Sequence, residues 1–92
     1  MRFEWDERKA EQNLAKHGTP FEFAARVFLD PYRLDGEDTR RDYGEQRRIA
    51  VGRVEWRVYA VAYTMRGEST RLISARKANR REQRRYNEAL PT

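Results

Sequence analysis

The run QRRIAVGRVEWRVYAVAYTMRGESTRLISAR, residues 46–76, alternates between apolar and polar side chains with a period of two residues. This period is typical of β-strands that bury one face. It predicts three strands, at 46–52, 55–64 and 69–76, joined by turns at Gly52-Arg53 and Arg66-Gly67-Glu68. Because the connections are short, we expect the strands to form an antiparallel meander.

The middle strand divides its side chains between two faces of the predicted sheet. One face is expected to carry Trp56, Val58, Ala60 and Ala62, and the other Arg57, Tyr59, Val61 and Tyr63. One face of the sheet can then pack against helices. The other face would keep its tyrosines and arginines available to a ligand.

The residues before the meander predict two helices. Asp6 is a suitable N-cap for a helix that runs to about His17 and ends at Gly18, with a narrow inward stripe of Ala10, Leu14 and His17. The sequence Thr19-Pro20-Phe21-Glu22 has the pattern of a capping box for a second helix. Apolar residues at i, i+3, i+4 and i+7 follow from Phe21 until Asp30-Pro31 ends that helix.

The remaining segments complete an α+β architecture. Residues 2–5 are compatible with a short strand, and 35–45 form an acidic connection rich in turn residues. Asn79 and Glu82 form a capping-box pattern for a last, basic helix that ends near Pro91. We therefore expect a single domain over 1–92, with two N-terminal helices packed on an antiparallel β-sheet meander and a basic C-terminal helix.

Length and composition restrict the function. The chain has 92 residues and no cysteine, which leaves room for one small core and excludes disulfides and thiolate metal sites. Charged residues reach 38%, but 4 Phe, 2 Trp and 5 Tyr argue against disorder. No apolar run approaches the roughly 18–20 residues of a membrane helix, and no signal segment is present. A cytoplasmic protein without a membrane partner is expected.

Positive charge is concentrated in the second half of the chain. Residues 46–92 hold 12 Lys/Arg and 4 Asp/Glu, whereas residues 1–45 hold 8 and 11. Of the 20 basic residues 17 are arginine, whose planar guanidinium binds phosphate oxygens in pairs and stacks on bases. This pattern favours a nucleic-acid partner. A heavily charged, solvated surface is the alternative.

Several kinds of catalytic site do not fit the residues. One histidine without cysteine is too little for a protein zinc site, and the acidic residues of 35–45 match no calcium loop. The glycines occur singly rather than in a phosphate-binding loop, and Ser69 and Ser74 lie in no nucleophile motif. We therefore expect neither a metal nor an organic cofactor.

Metal-free cleavage of RNA is a reaction that the residues of this chain could still support. RNA supplies its own nucleophile, the 2′-hydroxyl, so the enzyme needs only to position it, move protons and neutralise the phosphorane charge. Arg, Lys, Tyr and one His suffice, and dense positive charge is expected to lower the pKa of Tyr and Lys. Structural roles are the alternatives: a helix-end histidine at His17, packing at Tyr59 and Tyr63, and a solvated row formed by the arginines between 80 and 85.

A resemblance sharpens this interpretation. Phe3-Glu4-Trp5-Asp6, then Lys16-His17-Gly18 with Phe21-Glu22, then Ile73-Ser74-Ala75-Arg76-Lys77-Ala78 before Arg80-Arg81-Glu82, resemble BrnT-type toxins. The resemblance covers nearly the whole chain and implies a fold like that of RelE ribonucleases. It also implies metal-independent cleavage of cellular RNA, with inhibition of translation and growth. A BrnA-type antitoxin would neutralise the toxin, as two toxins with two antitoxins, and operator DNA would be bound only through that antitoxin.

Two groups of site residues follow. Carried over residue by residue, the resemblance points to catalytic roles for Lys16, His17, Arg76, Arg80, Arg81 and Glu82. Glu82 either caps the last helix or orients Arg76 or Arg81. The basic surface adds candidate RNA-binding residues, namely Tyr63, Arg71, Lys77, Arg84 and Arg85. The rival interpretations are a non-catalytic RNA- or DNA-binding module that uses the same arginines, and a scaffold that docks an acidic protein.

Overall fold

The computed structural model describes residues 1–42 and 44–92. Tyr43, within the predicted acidic connection, lies outside them. The described elements are β1 (Arg2–Glu4), α1 (Glu7–His17), α2 (Phe21–Ala24), a 3₁₀ segment (Ala25–Leu29), β2 (Leu34–Glu37), β3 (Arg48–Val54), β4 (Arg57–Arg66), β5 (Ser69–Lys77) and α3 (Arg80–Ala89). The α+β class is therefore confirmed. None of these helices is long and apolar enough to cross a membrane.

The sheet is mixed rather than purely antiparallel. Its strand order is β1-β5-β4-β3-β2, in which β2 to β5 form an antiparallel meander and β1 pairs in parallel with β5. The prediction of a loop over 35–45 is wrong for its first residues, because β2 (Leu34–Glu37) pairs with β3 there. This edge strand buries only part of Leu34, so its sequence carries no alternating pattern.

The β3–β4 turn lies at Glu55-Trp56 and not at the predicted Gly52-Arg53. Gly52 is a buried strand residue, and a Cβ added there would lie 2.9 Å from Val27 Cγ1. This glycine therefore permits close packing and forms no turn. Trp56 leaves the face predicted for it and is 92% exposed in the turn.

The sheet face that was predicted to stay open is the one that the N-terminal helical segments cover. The face that carries Val61 and Tyr63 packs under α2 and the 3₁₀ segment, in a core that includes Phe21, Val27 and Phe28. The face that carries Val58 and Ala60 packs against Tyr86 of α3. The expectation of an open tyrosine face is therefore wrong for Tyr63, which is 5% exposed. Alternation identifies two faces but does not say which one the helices cover.

The observed helix ends confirm the capping pattern predicted for α1 and contradict the one predicted for α2. Asp6 accepts hydrogen bonds from the backbone N–H groups of Arg8 and Lys9, and Gly18 ends α1 with φ 67°, as predicted. The predicted Thr19 capping box is wrong, since Thr19 donates to the carbonyl of His17 and Pro20 precedes α2. After four residues that helix tightens into the 3₁₀ segment.

Candidate active site

The junction between β5 and α3 holds a bidentate ion pair. Arg76 Nη1 lies 2.7 Å from Glu82 Oε1, and Arg76 Nη2 lies 3.0 Å from Glu82 Oε2. Glu82 Oε1 also accepts the backbone N–H of Asn79 at 2.9 Å, and Asn79 Oδ1 accepts the Glu82 N–H at 2.8 Å. One carboxylate thus completes the capping box and fixes the guanidinium, so both roles considered for Glu82 are present.

The electrostatics of Glu82 follow from these contacts. Burial acts to raise the pKa of Glu82, but the hydrogen bonds from Arg76 and Asn79, with the charges of Arg76 and Arg40, lower it overall. The carboxylate is therefore ionised at neutral pH. Glu82 is suited to holding Arg76 in place and unsuited to donating a proton.

Asn13 anchors α1 to β5 beside this junction. Its side chain is buried, and its Nδ2 donates to the carbonyls of Ala75 at 2.8 Å and Thr19 at 3.0 Å. Its Oδ1 accepts the Ala75 N–H at 3.0 Å. Both backbone groups of the residue before Arg76 are thereby held by one side chain. The helical pattern does not identify Asn13, because it predicts an inward stripe through Leu14, which is 49% exposed.

His17 lies one turn after Asn13, at the last residue of α1, and is half-buried. Burial lowers the pKa of His17, and the charges of Lys16 and Arg76 lower it further. The neutral imidazole is therefore the main form at neutral pH and can accept a proton. The positive charge of Arg76 therefore acts on the end of α1. Lys16 is exposed beside it in the chain.

Four arginines of α3 project into solvent: Arg80, Arg81, Arg84 and Arg85. None of them forms a hydrogen bond or an ion pair with another residue in 1–42 or 44–92. Arg80 and Arg81 lie in the first turn, next to the Arg76–Glu82 pair and the positive end of the helix dipole. Arg85 lines a groove of about 280 Å³ with Leu34, Ile49 and Glu82.

The other candidates lie apart from this cluster. Tyr63 donates its hydroxyl hydrogen to Asp35 and packs edge-on against Phe28, with ring centroids 4.9 Å apart. Burial and the bond to Asp35 raise the pKa of Tyr63, although Arg48 opposes them, so the expected lowering is wrong there. Arg71 donates to Glu4 at 2.8 Å and joins β5 to β1, about 16 Å along the strand from Arg76.

Chemically, the junction supplies cations for a phosphate and one group that can take up a proton. Lys77 follows Arg76 but lies on the other face of the sheet, opposite Tyr59. Within 1–42 and 44–92, no group of three or more His, Asp or Glu side chains is placed to hold a metal ion. The side chains available for chemistry at and near this junction are its arginines, with His17 and Lys16 at the end of α1.

The model of the protein family described as "Ribonuclease toxin, BrnT, of type II toxin-antitoxin system" matches residues 5–82. The matched range begins just before α1 and includes β5, the junction and Glu82. No curated protein matches the chain.

Proposed function

Since the chain belongs to the BrnT family of ribonuclease toxins of type II toxin–antitoxin systems, we propose that it is a metal-independent endoribonuclease. Membership implies RNA as the target and an antitoxin as a partner. The observation that carries the proposal is the bidentate Arg76–Glu82 pair beside the unpaired Arg80 and Arg81. Its proposed place of action is the cytoplasm, where cleavage of RNA would stop translation and growth. The RelE-like arrangement of the helices belongs to the same proposal.

The proposed reaction is an attack by the 2′-oxygen on the adjacent phosphorus. His17 takes the 2′-hydroxyl proton, and the 2′-oxygen–phosphorus bond forms as the phosphorus–5′-oxygen bond breaks. Arg76, oriented by Glu82, stabilises the charge of the phosphorane together with Arg80 and Arg81. We assign the proton taken up by the 5′-oxygen to Lys16. The products are a 2′,3′-cyclic phosphate and a 5′-hydroxyl end.

Incubation of the purified chain with labelled single-stranded RNA in EDTA tests this function. Cleavage that leaves 2′,3′-cyclic phosphate ends is expected, and an all-2′-deoxy oligonucleotide of the same sequence should stay intact. An Arg76→Ala protein prepared identically controls for contaminating nucleases. Binding of RNA without cleavage would favour the non-catalytic binding module instead.

The role of His17 predicts a specific pH profile. A general base acts in its unprotonated form, so cleavage should fall as the pH drops through the pKa of His17, which burial places below the ordinary 6.5. His17→Gln should be slowed about 10²–10⁴-fold and lose this acid limb. The measurement is the cleavage rate from mildly acid to neutral pH. Full activity with an unchanged profile in His17→Gln would assign the base to another group.

We further propose a BrnA-type antitoxin that covers the junction, in an assembly of two toxins and two antitoxins. Half-buried Leu34 and Ile49 line the groove beside Arg85, and the arginines of α3 have no partners within the described chain. Acidic side chains of an antitoxin segment would pair with these arginines, and its apolar side chains would occupy the groove, whose own carboxylates are Asp35, Glu37 and Glu82. Because such an encounter is steered by charge, its on-rate should fall steeply with salt.

Hydrogen exchange measures this contact. With its antitoxin bound, the chain should show slower exchange of the amides from Arg76 to Tyr86 than the free chain does. Protection confined to α1, with α3 exchanging as in the free protein, would mean that the antitoxin inhibits in another way.

A further inference from the structure

A second cluster of aromatic and cationic side chains lies at the β3–β4 turn. A pocket of about 350 Å³ is lined there by Phe23, Trp56, Arg57, Tyr59 and Lys77, among others. Phe23 and Tyr59 pack edge to face, with ring centroids 5.3 Å apart, and form its apolar wall. Trp56, at the rim, is 92% exposed. No residue of this pocket except Lys77 belongs to the candidate site described above.

The turn that carries Trp56 is held by specific contacts. Glu55 has φ 56°, a left-handed conformation that few residues other than glycine adopt. Its carboxylate is 3.0 Å from Arg26 Nη1, and this ion pair links the turn to the 3₁₀ segment. The acidic group nearest to Trp56 in the chain is thus neutralised by a partner. The indole is presented on a fixed turn with its faces open to solvent.

Two cationic side chains, those of Lys77 and Arg57, line the pocket. Lys77 is exposed and lies opposite Tyr59 in the β4–β5 pair. Arg57 donates from Nη2 to the carbonyl of Ala78 at 2.8 Å, and its Nε is buried without an acceptor among the residues described, so Arg57 contributes positive charge rather than a free donor. Aromatic faces flanked by Lys and Arg are the surface that binds bases and phosphates of single-stranded nucleic acid.

We propose that this pocket is a base-stacking subsite for single-stranded RNA, in which a base stacks on Trp56 and Lys77 binds a neighbouring phosphate. Lys77 follows Arg76 directly in β5 but points to the opposite face of the sheet, since Lys77 lies opposite Tyr59 and Arg76 opposite Ala60. An RNA strand that passes around the end of β5 would reach both side chains, so the subsite would accept a nucleotide near the scissile phosphate. This inference rests on the proposed RNA target. The net positive charge of Arg57 and Lys77 favours RNA over an apolar protein segment.

The test is binding of a labelled, uncleavable 2′-O-methyl single-stranded oligonucleotide to the full chain, measured by fluorescence anisotropy. Trp56→Ala should weaken binding about 5- to 150-fold, the range expected for loss of one base stack. Leu29→Ala is the matched control, since Leu29 is also 79% exposed but lies outside the pocket, and it should bind as wild type does. Lys77→Ala should reduce the salt dependence, the slope of log K on log salt, by about 0.7.

A second measurement does not depend on a truncated side chain. In Trp5→Phe, Trp56 is the remaining tryptophan, and its emission should be quenched as the same oligonucleotide binds. Equal binding by Trp56→Ala and wild type, or no quenching while RNA binds, would overturn the subsite. Quenching by the antitoxin but not by RNA would overturn it too, in favour of a protein-docking surface. Binding that needs Trp56 without any cleavage of ordinary RNA would retain the subsite and refute the ribonuclease instead.

Discussion

Replacement of Arg76 by alanine is expected to slow RNA cleavage about 10²–10³-fold, the usual effect of removing one preorganised group that stabilises developing charge. Arg80→Ala and Arg81→Ala should likewise remove toxicity. The thermal midpoint of each variant shows whether activity is lost because the side chain is missing or because the protein is destabilised. Arg80 and Arg81 are exposed, so their loss should change the free energy of unfolding by less than about 0.5 kcal/mol. Loss of Arg76 leaves the Glu82 carboxylate with the Asn79 N–H and should cost about 1 kcal/mol.

The matched control is Arg8→Ala, which removes the same charge from the exposed first turn of α1. Initial cleavage rates and thermal unfolding should be measured on all four proteins. An equal loss of activity in Arg8→Ala would mean that only the overall positive charge matters. Loss of folding in Arg76→Ala, Arg80→Ala and Arg81→Ala alike would show that the cluster is structural.

Replacement of Asn13 by alanine is expected to have the largest effect on stability. The change removes three hydrogen bonds and leaves two carbonyls and one N–H, at Ala75 and Thr19, without their partner in the interior. Each buried group left unsatisfied costs about 1–3 kcal/mol, and partial access of water reduces the sum, so we expect a loss of about 3 kcal/mol. For a domain of this size that lowers the thermal midpoint by on the order of 15 °C.

Two further variants identify the cause. Gln12→Ala alters the neighbouring exposed position of α1 and should leave the midpoint almost unchanged. Asn13→Asp keeps the acceptor for the Ala75 N–H but loses both donated bonds, so it should also be strongly destabilised. Thermal unfolding of the three proteins is the measurement. A midpoint within a few degrees of wild type for Asn13→Ala would show that the contact between α1 and β5 does not depend on this side chain.

Local sequence determined the ends of α1 and α3 and the residues of the junction. The cap at Asp6, the left-handed Gly18 and the Asn79–Glu82 capping box each involve residues within four positions of one another. Such contacts depend on spacing alone. The concentration of arginine in the second half and the motif around Arg76 are likewise features of the sequence alone, and they predict phosphate chemistry.

Tertiary structure alone decided how the strands turn, which sheet face is covered and which side chains meet. A period of two residues predicts strands, but it is unchanged when a turn moves by a few residues, so packing of Gly52 against Val27 sets the turn at Glu55-Trp56. Trp56 is exposed because it lies in that turn, and Tyr63 is buried because its face of the sheet packs under α2 and the 3₁₀ segment. Asn13 meets Ala75 across 62 positions of the chain, and a contact of this range forms only after helix and sheet have packed, because no local pattern encodes it.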